Sequence, residues 1–97
     1  MDQVNNTKDY ILDKIINFKN DIEALITDED LKLKLNEKFN ILTFNMIKLF
    51  IFFLNDKNVE SNIKEFLTNY KIDNNETNYN IIKRHYDLFL EIKKIIY

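Results

Sequence analysis

Histidine occurs once in this sequence, at His85, and Asp87 and Glu91 follow it on the same segment. An imidazole near carboxylates is the minimum equipment for general acid–base work. The spacing supplies none of the usual partners. A di-iron bundle needs Glu-x-x-His, and the residue three before His85 is Ile82. A zinc-protease helix needs two histidines. Ser61 is the one serine, with no Gly-x-Ser-x-Gly elbow around it and no second histidine to complete a relay. The carboxylate pairs Asp9–Asp13 and Asp87–Glu91 each stand four residues apart, with lysines close by, as Lys94 is to Glu91. That is the pattern of a solvated, charged helix face. No catalytic residue is assigned, and the chain is expected not to be an enzyme.

Metal and cofactor chemistry fares no better. The chain has no Cys, so thiolate nucleophiles, disulfides and cysteine metal sites are impossible. Asp73-Asn-Asn-Glu-Thr77 has the alternating oxygen ligands of a calcium loop. Its sixth position is Asn78 instead of Gly, and its twelfth is Arg84 instead of a bidentate Glu. An Asx-rich turn is the expectation there. With no Gly at all, a phosphate-cradling loop is excluded. No metal and no cofactor is expected.

One basic segment remains. Lys83, Arg84 and Lys94 lie among Tyr79, Tyr86 and Tyr97, an interleaving that nucleic-acid binders use. Asp87 and Glu91 share the segment, and the net charge of the chain is −2, so there is no general attraction to polyanions. Nucleic-acid or nucleotide binding through Lys83, Arg84 and Lys94 stands as the alternative function.

The elements that position these groups follow from composition and periodicity. A chain of 97 residues makes one domain, 1–97, with residues 1–6 read as a short polar tail. Its apolar fraction of 45% suffices for a core, and its charges are mixed in sign. The absence of Gly and Pro argues against hairpins and for helices joined by Asn and Asp turns. The excess of Ile, Asn, Lys, Phe and Tyr is that of A/T-rich codons, which points to a virus, a phage or other mobile element, or a low-GC bacterium. The acidic, polar start is unlike a secretory signal, so a cytoplasmic location is expected, the host cytoplasm for a viral protein.

Apolar residues recur at steps of three and four in four segments. The first helix is expected over 7–26, capped by Asn6 or Thr7, with Ile11, Ile15, Phe18, Ile22 and Leu25 on its stripe. The second is expected over 28–54, capped by Thr27 or Asp28 and carrying acids in its first turn. The third covers 59–70 after the turn Asn55–Asn58, where Asn supplies left-handed backbone. The fourth covers 76–97. The expected fold class is all-α, a bundle of about four helices around a long central second helix.

That second helix ends in the most apolar stretch of the chain, Ile41 to Leu54, interrupted only by Thr43, Asn45 and Lys48. It is well short of the roughly 20 residues that span a bilayer. On one continuous wheel, Leu35, Phe39, Leu42, Met46, Leu49 and Phe53 share a face that should point to the core. Ile41, Phe44 and Ile51 fall on the other side, with Phe52 at the flank, where a bundle exposes polar residues. Large apolar groups there suggest an interface, so Ile41, Phe44, Ile51 and Phe52 are the candidate partner-binding residues.

A chain under 100 residues, acidic, helical and Cys-free resembles small bacteriocin-immunity proteins and phage-encoded inhibitors in general shape, with no shared motif. The expected function is a non-enzymatic protein-binding module, an inhibitor or adaptor, that meets another protein or its own copy through the outer face of the second helix. A small oligomerising structural subunit or an immunity-type protein is the second alternative.

Overall fold

The computed structural model describes residues 3–97, and side chains from Thr7 onward. It contains five helices: α1 (Gln3–Leu25), α2 (Glu29–Asn40), α3 (Phe44–Phe53), α4 (Val59–Asn69) and α5 (Glu76–Ile96). Among the described residues there is no strand, and no helix is long and apolar enough to cross a membrane.

The ends of these helices follow the chemistry of short polar side chains. Asp28 caps α2, its Oδ1 accepting the Leu31 amide at 3.1 Å, while Thr27 plays no such part. Asn75 caps α5 by accepting the Asn78 amide at 2.8 Å. The turn before α4 is built by Asn55, whose side chain accepts the Lys57 amide, and by Asn58 in left-handed backbone at φ 57°. After α4 the Ile72 amide reaches the Leu67 carbonyl at 2.9 Å and the Lys71 amide reaches that of Thr68 at 3.1 Å. These two bonds make a Schellman motif, and Lys71 takes the left-handed position, φ 54°, that glycine usually fills. Its hydrophobic clasp is Ile72 against Leu67, both buried in one cluster.

Three expectations need correction. Helix one does not wait for Asn6 or Thr7: it already runs from Gln3, so most of the expected tail, residues 3–6, is helical. Nothing in that segment, neither Gly nor Pro, stops the helix. The expected long helix over 28–54 is two helices, because Ile41–Thr43 form a connector and Thr43 caps a new start by accepting the Met46 amide at 3.2 Å. The central element is α5, which packs on α1, α3 and α4, while α2 packs on α1.

The core forms two clusters. One gathers Ile22, Ile26, Leu35, Ile63, Leu67, Tyr70, Ile72 and Ile82. The other gathers Ile11, Ile15, Ile47, Ile51, Phe89 and Ile92. Phe18 and Phe39 pack against both and join them. The molecule measures 43 × 28 × 19 Å, so its thin direction is about two helix diameters. In such a layered arrangement α3 is not enclosed on all sides.

A candidate protein-binding face on α3

The break at Ile41–Thr43 changes the phase of the helix that follows. Ile47 and Ile51 enter the core at 2% and 0% exposure, and Phe44 is half-buried beneath the Lys8 and Lys48 ammonium groups. Of the residues expected to face the core, Leu35 and Phe39 on α2 do so, but those on α3 turn outward: Met46 is 43% exposed, Leu49 56% and Phe53 73%. Leu42 stays half-buried in the connector. Phe50, at 44%, joins the outward set. Met46, Leu49, Phe50 and Phe53 are spaced i, i+3, i+4, i+7, which puts all four on one side of α3. The helix is therefore apolar on two faces and uses only one of them for the core.

Of the four residues singled out as partner-binding, Ile51 is a core residue and contributes no surface. Phe44 is largely taken by its own chain. Ile41 is exposed in the connector, and Phe52 is exposed at the far edge of α3, edge-on to Tyr97 at 5.2 Å with the Lys93 ammonium over its ring. Sequence reasoning missed Met46, Leu49, Phe50 and Phe53 as surface. The available signal was Thr43, a good cap inside an apolar run.

Beside this face lies a groove. Both α3 and α4 rest on α5, and two apolar cavities open beside them: one of about 250 Å³ between α3, α4 and α5, and one of about 330 Å³ where α2 and α3 face α4 over α1. The cavities share Phe18, Phe50 and Phe66. Phe50 stands over Phe89 with ring centroids 5.9 Å apart, and Phe18 lies 6.1 Å from Phe66. Polar bonds close each end. At one, the Asn62 amide donates to the Tyr86 hydroxyl, which donates to the Asn55 carbonyl. At the other, the Lys38 ammonium donates to the Tyr70 hydroxyl at 3.5 Å.

The remaining candidate groups do not converge. His85 Nε2 lies 2.6 Å from the Asp21 carboxylate, and its ring sits edge-on to Phe18, so it ties α5 to α1. Neither Asp87 nor Glu91 joins it: Asp87 pairs with Lys83 at 2.8 Å, and Glu91 with Lys94 at 3.7 Å. The Asp87 carboxylate holds the Lys83 ammonium above the ordinary lysine value. The basic residues of the alternative site are thus interleaved with acids on one face, and Arg84 stands apart, lining a shallow hollow with Asp21. Among the described residues, no group of three or more His, Asp or Glu is placed to hold a metal ion.

No protein-family model, curated protein or solved structure matches this chain.

Proposed function

We propose that the chain is a non-enzymatic protein-binding module, an inhibitor or adaptor, and that it meets its partner through the outer face of α3. One observation carries this reading: Met46, Leu49, Phe50 and Phe53 form a contiguous exposed apolar stripe on a helix whose other face already serves the core. A single exposed leucine means little, but four large apolar groups on one stripe mark an interaction surface. The groups that could do chemistry are dispersed, each pairing with a neighbour on the surface, which supports binding over catalysis.

The test is the double variant Leu49→Glu with Phe53→Glu, compared with wild type in the natural host by photo-crosslinking from Met46. Wild type is expected to give a discrete cross-linked complex. The double variant is expected to lose it while keeping its helical circular dichroism. A complex unchanged by both substitutions sinks the proposal.

A further inference from the structure

We propose that the groove between α3 and α4 receives an amphipathic helix of the partner, apolar side down, with an acidic residue at the Lys38 end. This rests on the reading of α3 as the partner-binding face and names what the partner brings to it.

The shape comes first. Helices laid in apolar grooves present anchors at i, i+3, i+4 and i+7. The groove is walled by α3, with the end of α2, on one side and by α4 on the other; α3 and α4 are ten and eleven residues long. Each wall is therefore about 15 Å long, the length of three turns of a partner helix. Phe50 and Phe66 stand across it, and the cavities on either side of that pair each have room for a large apolar side chain. The exposed stripe of α3 continues directly from Phe50 outward through Met46 and Phe53, so a helix seated in the groove also covers part of that stripe.

Charge then selects the occupant. Lys38 is the one charged residue in the lining of either cavity. Lys34 stands one turn before it on α2, and no Asp or Glu occurs between Glu37 and Asp56. Glu37 stands beside Lys38 on α2 and Lys48 lies on α3, but neither lines a cavity, so the charge offered to an occupant of the groove is that of Lys38. On the α4 side Glu65 is exposed next to Phe66 in sequence. A second copy that met this face through its own α3 would bring a helix whose single charge is Lys48 and which has no acid for Lys38. A helix with an acid near the end of its apolar stripe instead gives Lys38 a partner in place of the long bond to Tyr70.

The test titrates the ¹⁵N-labelled full chain with a synthetic helical peptide of about 12 residues, Leu and Phe at i, i+3, i+4 and i+7 and Glu at the end of the stripe. A second peptide carries Lys for Glu. The acidic peptide is expected to shift amides of residues 46–54 and 62–70 with a Kd of about 10–100 μM, and the basic one to bind at least about tenfold more weakly. In Lys38→Glu, an exposed substitution that leaves the core intact, that order should reverse. Equal binding of both peptides, or shifts confined elsewhere, overturns the proposal. So does concentration-dependent shifting of the α3 amides without peptide, which makes a second copy the occupant. If the peptides fail while the Leu49→Glu, Phe53→Glu variant still loses the natural complex, the groove assignment falls and the α3 reading stands. If that variant also keeps the complex, both fall.

Discussion

The Thr43 hydroxyl accepts a hydrogen bond from the Met46 amide at 3.2 Å, and with that bond α3 begins anew three residues after α2 ends. A new helix need not keep the azimuth of the old one. Ile47 and Ile51 therefore face the core where a continuous helix would have put Met46 and Leu49. Thr43→Ala removes the cap and should cost about 1 kcal/mol, read as a melting temperature lower by about 4–8 °C for a domain of this size. An unchanged melt would show that packing alone positions α3.

Ile51 and Leu49 give the sharpest contrast on one helix. Ile51 is fully enclosed, so Ile51→Ala should cost about 2–5 kcal/mol in urea unfolding. Leu49 is more than half exposed, and Leu49→Ala should stay within about 0.5 kcal/mol of wild type. Similar losses at the two positions would contradict the orientation of α3.

Asp28 carries a pH dependence. The Leu31 amide, and then the Lys71 ammonium, hold its carboxyl below the ordinary value of 3.8. A lowered native value means that the charged form stabilises the fold fully above that ordinary value. The contribution is lost as pH falls through the native one. Asp28→Asn keeps an acceptor at the cap and removes the charge. Wild type should melt above this variant at pH 6, and the gap should close in strong acid. A gap that persists or widens there reverses the sign and refutes the assignment.

Lys71 occupies a left-handed position without being glycine. Lys71→Gly should relieve about 1 kcal/mol of backbone strain, offset in part by losing the exposed pair with Asp28. A modest rise in melting temperature is expected from Lys71→Gly, and none from Lys71→Ala, which keeps a Cβ at the same backbone angles.

Much of this architecture is legible in the sequence. The stripe of α1 places Ile11, Ile15 and Ile22 on one face, and all three are buried. The Asn55–Asn58 turn is legible because Asn tolerates left-handed backbone better than other non-glycine residues. The candidate site is less so. A stretch that is apolar all round gives periodicity no phase to lock onto, so the azimuth of α3 rests on one capping threonine. One wheel drawn through Ile41–Thr43 places Leu35 and Phe39 rightly but puts Met46, Leu49, Phe53 and Ile51 on the wrong side. The groove is not legible at all, since it arises from tertiary packing, where α3 and α4 each rest on α5 and the end of α2 adds to one wall.

Both core clusters draw on α1 and on α5: Ile22 meets Ile82 in one, and Ile11 and Ile15 meet Phe89 and Ile92 in the other. Synthesis runs from α1 towards α5, so neither cluster is complete until α5 has followed the other four helices. From the completion of α3 until α5 is made, α3 lacks its packing on α5, and its outer stripe is bare throughout. Any binder that recognises the stripe alone then competes with folding, whereas one that needs the groove must wait for α5. The nascent and finished chains are, in this sense, different bait.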